Sequence, residues 1–268
     1  MKLQIRSPLY DKERVNIPDE LSDLSRPVNG TVCSAAGDEY PIKNNIVDLI
    51  TKEKKRSLAQ STNDWTLTAS LYEDLWRVRS LSLLTGESFP IERERDLLIQ
   101  WLNPRPDKLY LDIGCSTALY ARLLKKAEPE SLQVAIDFSK AMLQEARLKS
   151  EADETDIYLL RADAREMPFF SKTFDGLAMG GTLNELSDPE KVLYECRRVI
   201  KENGTFFMMH LVTAESWYGR VFQSSAEWGG INFWSVEESN QLFEKAGFAI
   251  VKQEVKGIVC FTSLTATA

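Results

Sequence analysis

The chain has 268 residues, 43% of them hydrophobic, enough for one large domain or a domain with an appendage around a sizeable core. Forty acids against 33 bases leave a net charge of −7, which disfavours non-specific attraction to nucleic acid phosphates. Cys33, Cys115, Cys196 and Cys260 are widely spaced, no signal-peptide pattern is visible, and no apolar run approaches the roughly 20 residues of a spanning helix. These features imply a cytoplasmic protein and leave peripheral membrane contact open.

Three zones follow in chain order. Residues 1–50 read as short extended pieces broken by Pro8, Pro18, Pro27 and Pro41, with "NG" at 29–30 as a turn. "KEKKR" at 52–56 reads as a solvated linker. Residues 57–103 read as helices: Asn63 and Asp64 are capping candidates ahead of Leu67, Leu71, Leu75 and Val78, and "IERERDLLIQWL" forms a second amphipathic helix that "NPRP" at 103–106 terminates. From 107 the pattern alternates. Strands are expected near 109–113, 133–137, 157–161, 174–179 and 204–212, and helices near 117–127, 139–150, 188–200 and 235–246. Two strand-like runs around Gly257 close the chain. Such alternation predicts a doubly wound, mostly parallel α/β sheet ending in a hairpin.

In an open parallel sheet, ligands bind beyond the carboxyl ends of the strands. The first strand runs into "DIGCSTA", with Asp112, Gly114, Cys115, Ser116, Thr117 and Ala118. The second ends at Asp137, the third is followed by Asp163, and the fourth by Gly180, Gly181, Thr182, Asn184 and Glu185. An acid after the second strand suits a ribose diol, small residues in the first turn admit close backbone approach, and the third acid suits an exocyclic amine such as that of adenine. An adenosine-containing ligand fits all three. The dinucleotide pattern G-x-G-x-x-G fails, since its positions read Gly114, Ser116 and Leu119, and no P-loop is present. Asp112 would repel a phosphate and attract a cationic group. Cys115 beside the loop reads as a small filler, not a nucleophile.

"LDIGCSTA", "AIDFSKAML", "RADAREMPFFSKTFDGLAMGGTLNEL" and "FWSVEESNQLFEKAGF" together resemble the class I S-adenosylmethionine-dependent methyltransferases, specifically the ubiquinone/menaquinone-biosynthesis type acting on small molecules. The first segment matches the motif D/E-x-G-x-G-x-G at Asp112 and Gly114, with Ser116 and Ala118 in place of the later glycines. The resemblance covers roughly residues 60–268. It implies a seven-stranded Rossmann-like sheet with an antiparallel C-terminal hairpin and S-adenosylmethionine as cofactor. Asp112, Gly114, Cys115 and Ser116 would then flank the methionine portion and Asp137 hold the ribose. Phe138 and Met142 would flank the adenine, Asp163 and Ala164 would meet its edge, and Gly180 and Thr182 would follow the fourth strand. Tyr72 in "ASLYEDLW" resembles a tyrosine that closes over the cofactor.

The long segment 213–234 carries Trp217, Tyr218, Phe222, Trp228, Phe233 and Trp234, an aromatic lid or substrate wall suited to a flat or lipophilic acceptor. Packing of an extra helix is the competing reading. His210, the only histidine, falls near the end of the fifth strand and is the candidate general base, with Glu185 and Asn184 as rivals and a satisfied core or rim histidine as the alternative. "TVCSAAGDEYPIKNNIVDLIT" resembles the second half of a zinc-ribbon module. Cys33 stands alone where tetrahedral zinc needs four ligands, so no metal is expected and Tyr40, Ile42 and Ile46 would hold the segment by apolar packing.

The expected organisation is a metal-free ribbon-like segment at 1–56 and a methyltransferase domain at 57–268, the latter divided into helices (57–106), cofactor core (107–212), lid (213–234), and late helix with hairpin (235–268). The expected activity is methyl transfer to a small aromatic or lipophilic acceptor, with no nucleic acid partner. A non-catalytic methyltransferase-fold partner protein is the alternative. Against RNA or protein targets, "GGTLNE" stands where an N/D-P-P-Y/F motif would be.

Overall fold

The computed structural model describes residues 3–8, 13–51, 82, 84, 85, 88–215, 217, 220, 223, 224, 227 and 230–267. The capping candidates Asn63 and Asp64, the leucines at 67–75 and the "KEKKR" linker lie outside them.

Strands β6 (Leu109–Ile113), β7 (Leu132–Asp137), β8 (Tyr158–Arg161) and β9 (Phe174–Gly180) alternate with helices α2 (Leu119–Ala127) and α3 (Lys140–Ala152). Helix α1 (Ile91–Leu102) precedes them. Helix α4 (Pro189–Val199) and strand β10 (Ile200–Leu211) follow without an intervening loop, so β10 begins four residues earlier than the pattern suggests. Helix α5 (Val236–Lys245) leads into β11 (Phe248–Lys256) and β12 (Val259–Ala266). Helices α3, α4 and α5 each start on a capping side chain. Ser139 accepts from the Met142 amide, Asp188 accepts from Lys191 with Pro189 in the first turn, and Ser235 and Glu238 form a reciprocal capping box. Helix α1 ends at Asn103, which takes a left-handed conformation before Pro104.

The sheet order β11-β12-β10-β9-β6-β7-β8 is parallel from β10 to β8, while β12 inserts antiparallel between β10 and β11. The order turns back at β6, which lies between β7 and β9. That switch point opens a crevice at the carboxyl edge. The parallel strands are buried on both faces: Leu111, Ile113, Val134, Leu159, Leu160, Leu177 and Phe206 are all fully enclosed. Among the described residues no helix is long and apolar enough to cross a membrane.

The N-terminal segment differs from its sequence reading in two ways. A two-stranded ribbon, β1 (Gln4–Arg6) and β2 (Arg14–Asn16), stands apart, but β3 (Gly30–Cys33), β4 (Glu39–Lys43) and β5 (Ile46–Asp48) continue the main sheet to ten strands. Strand β5 pairs in parallel with β8, matching Ile46 to Leu159 and Asp48 to Arg161. Tyr40 and Ile42 join the central core, and Ile46 packs with Leu143 and Leu159. The tight turn is not Asn29-Gly30 but Asn44-Asn45, whose φ angles of 50° and 66° supply the two left-handed residues of a two-residue hairpin. Asn29 instead accepts from the Asn44 amide and braces that turn.

Candidate active site

The carboxyl ends of β6, β7, β8 and β9 surround an open cleft of about 980 Å3, its solvent mouth included. Gly114, Ser116, Asp137, Phe138, Met142, Asp163, Ala164, Gly180 and Thr182 all line it. Residues that are up to 68 positions apart thus converge because they sit at or just beyond the carboxyl ends of neighbouring strands of one parallel sheet.

The glycine-poor loop after β6 is built from left-handed backbone at alternate positions: Gly114 at φ 62°, Ser116 at 50° and Ala118 at 56°. These are the three places where the family motif carries glycine. Serine and alanine here adopt left-handed angles that glycine takes without the Cβ penalty. Gly114 meets a second constraint. A Cβ there would fall 2.4–2.9 Å from the side chain of Thr182, whose hydroxyl donates to the Gly114 carbonyl at 3.0 Å. Glycine is therefore required here by the Thr182 side chain that packs onto the turn.

Asp137 ties the loop to the next strand. Its two oxygens accept from the Ser116 and Ser139 amides, each at 2.8 Å. Asp137 also lies on the cleft wall, at the position the sequence assigns to a ribose ligand. Met142 is buried below, with its sulfur accepting from the Ser116 hydroxyl at 3.3 Å.

Asp112 and Cys115 lie in a smaller recess shared with Gly114, Ser116, Leu119, Tyr120 and Gly180. Asp112 is buried and accepts from the Ala121 amide at 3.1 Å, so it caps the first turn of α2 as well as charging the recess. The Cys115 thiol is pushed well above its ordinary range by burial, then by Asp137 and Asp112, which keeps it protonated and unreactive.

Asp163 has a partner that the sequence reading overlooked. Arg165 donates to it through Nε and Nη2, both at 2.9 Å, and through its backbone amide at the same distance. Arg165 lines the cleft together with Ser139, Gly181, Leu186 and Ser187. The signal available in advance was the spacing Asp-x-Arg, which lets a guanidinium fold back on a carboxylate two residues earlier. An adenine amine approaching Asp163 must share that carboxylate with Arg165.

His210 is not on the cleft wall. It is fully buried, neither ring nitrogen has a hydrogen-bond partner among the described residues, and it stands edge-on to Phe243 at 5.5 Å. Burial lowers its pKa to about 4. Strand alternation explains the placement, since the carboxyl edge was correct but the side chain points into the core. Asn184 is likewise committed, donating to the Leu211 and Asn232 carbonyls and accepting from the Leu211 amide. Glu185 remains on the cleft wall.

The aromatic wall at 213–234 is not reproduced by its described residues. Trp217 is 72% exposed, Trp234 packs against the central core, and neither these nor half-buried Phe233 lines the cleft. Trp234 is held by strand-like pairing with Val212, which fixes it as a packing residue. Tyr72, Tyr218, Phe222 and Trp228 lie outside the described residues.

A ten-stranded sheet in which β6–β12 form the doubly wound unit with one reversed strand, acids at the carboxyl ends of β6 and β7 and just past β8, and a Gly114 turn closed to any Cβ define a class I S-adenosylmethionine-dependent methyltransferase. A family described as "Methyltransferase domain" matches residues 111–208. The demethylmenaquinone methyltransferase of Bacillus velezensis is 30% identical over 182 residues, which are 59% of this chain and 78% of that protein. The demethylmenaquinone methyltransferase of Thermotoga maritima is 34% identical over 113 residues, 41% of this chain and under half, 46%, of that one. The structure of a SAM-dependent methyltransferase from Aquifex aeolicus superposes with a TM-score of 0.54 at 19% identity, covering 78% of this chain and 98% of that one. The chain belongs to the class I S-adenosylmethionine-dependent methyltransferases of the quinone-biosynthesis type.

Proposed function

We propose that the enzyme methylates a ring carbon of a small lipophilic hydroquinone, with the cleft at 112–187 holding S-adenosylmethionine. The observation that carries the cofactor assignment is the Gly114 turn, where Thr182 leaves no room for a Cβ, beside the Asp137 carboxylate on the same cleft wall. The wall is acidic, with Asp137, Asp163 and Glu185 against Arg165, and suits a ligand carrying a sulfonium and an ammonium group. In this reading Asp137 binds the ribose, Phe138 and Met142 flank the adenine, Asp163 meets its edge, and Asp112 with Gly114 faces the methionine portion.

The bound donor supplies a methyl group already activated on sulfur. What the chain contributes is alignment of the acceptor carbon in line with that group, exclusion of water, and a home for the ring proton released as the carbon–methyl bond forms and the sulfur–methyl bond breaks. His210 is sealed from the cleft, so Glu185 takes the role of proton acceptor. The names of the relatives and the lack of an amine-target motif support a quinol acceptor over RNA or protein. The reading keeps the cytoplasmic setting that the sequence suggests.

Calorimetry with S-adenosylhomocysteine on the wild type and Asp137→Ala tests the assignment. Loss of two charge-assisted hydrogen bonds should weaken binding about a hundredfold or more. A wild type that binds neither donor nor product would sink it. With tritiated methyl donor, label should pass to a prenylated naphthoquinol and not to tRNA or bulk protein; the reverse pattern would remove the quinol assignment.

A further inference from the structure

At the carboxyl edge of the sheet, three neighbouring strands place Asp48, Arg161 and Asp137 on one rung, with Asp48 opposite Arg161 and Arg161 opposite Asp137. The Arg161 side chain is only 5% exposed. Its Nη1 donates to both Asp48 oxygens at 3.0 and 3.1 Å, and its Nε donates to the Phe138 carbonyl at 2.9 Å. The guanidinium also lies over the Phe138 ring, 5.2 Å from its centroid. The Leu49 amide, donating to the Arg161 carbonyl at 2.9 Å, extends the pairing one residue past the strand. A surface lysine, Lys140, reaches Asp48 at 3.1 Å from a mostly solvated position.

We propose that Asp48, in the N-terminal segment, is a positioning residue for the cofactor site, acting through Arg161 on Phe138. The inference rests on the cofactor reading of the cleft. Arg161 fixes the Phe138 carbonyl and ring face together, and Phe138 stands between Asp137 and Ser139, the two residues joined by the loop's carboxylate clamp. A guanidinium this buried needs a counter-charge. With Asp48 present, that charge comes from outside the cleft. Loss of the Asp48 charge lets the guanidinium shift along the rung, away from the Phe138 carbonyl and toward Asp137, whose carboxylate orients Ser116 and Ser139. The N-terminal segment thus holds the cofactor loop in its binding arrangement through Asp48 and Arg161, which are 113 residues apart in sequence.

The test is S-adenosylhomocysteine affinity by calorimetry, with melting temperature measured on each variant of the full chain. Asp48→Asn keeps volume and removes charge; it should weaken binding about tenfold, and Asp48→Glu should recover most of the loss. Val47→Ala loosens the same strand pairing from a fully buried position while leaving Asp48 in place. It should lower the melting temperature at least as much as Asp48→Asn with wild-type affinity. Equal affinity of wild type and Asp48→Asn, or a loss in Val47→Ala that tracks its melting temperature, overturns the proposal while leaving the cofactor reading intact. Absence of binding by the wild type overturns both. Should Asp48→Asn not fold, Arg161→Lys, which retains charge but loses the Nε bond to Phe138, should weaken binding similarly; wild-type affinity there overturns the relay.

Discussion

Gly114→Ala isolates the contribution of the cradle. The added methyl would lie 2.4 Å from Thr182 Cγ2, 2.5 Å from Oγ1 and 2.9 Å from Cβ, where ordinary contacts begin near 3.4 Å. Forced overlap of this kind costs about 1–3 kcal/mol, and left-handed backbone at φ 62° adds roughly 1–2 for a residue with a Cβ. The sum is about 2–5 kcal/mol, or roughly thirtyfold to a few thousandfold if it appears as lost affinity. Urea unfolding and calorimetry with S-adenosylhomocysteine would divide it between stability and binding. Gly114→Ala with Thr182→Gly removes all three close contacts and leaves the backbone strain, so the double variant should recover about 1–3 kcal/mol relative to the sum of the singles. Strict additivity of the two substitutions would refute the steric account, because it would mean that Thr182 is not what the methyl meets.

Ser116→Gly with Ala118→Gly restores the family glycines at φ 50° and 56°; because the backbone already adopts those angles, affinity should change by less than about threefold. Tenfold tightening would show instead that the serine and alanine side chains limit binding. His210→Leu should retain turnover, since the imidazole is fully enclosed. With its folded pKa lowered by burial to about 4 against 6.5 in the unfolded chain, His210 favours the fold fully above pH 6.5 and loses up to about 3 kcal/mol of that contribution as pH falls toward 4. Urea midpoints from pH 7 to 4 should therefore fall less steeply in the variant, and identical slopes would contradict a neutral buried histidine.

What the sequence determined by itself was everything that local chemistry specifies. Alternation located β6 to β9 and the helices between them within a few residues, because hydrophobic period acts over one or two turns. Asp112, Gly114, Asp137 and Asp163 were legible as a set for the same reason, since each lies at or just past the carboxyl end of a strand. Three things required the tertiary structure. His210 was correctly set near the strand end, but which face of β10 it occupies depends on the register with β9 and β12. Arg165 was visible as a residue but not as the partner of Asp163. The junction of β5 with β8 links residues more than 100 positions apart through backbone hydrogen bonds, which carry no side-chain signature and so leave no trace in composition or spacing. That pairing turned a ribbon-like appendage into the outer strands of the catalytic sheet and brought Asp48 to Arg161. The loop "DIGCSTA" shows both sides: its residues identify the family, while its three left-handed angles, seen only in the fold, explain why one glycine suffices.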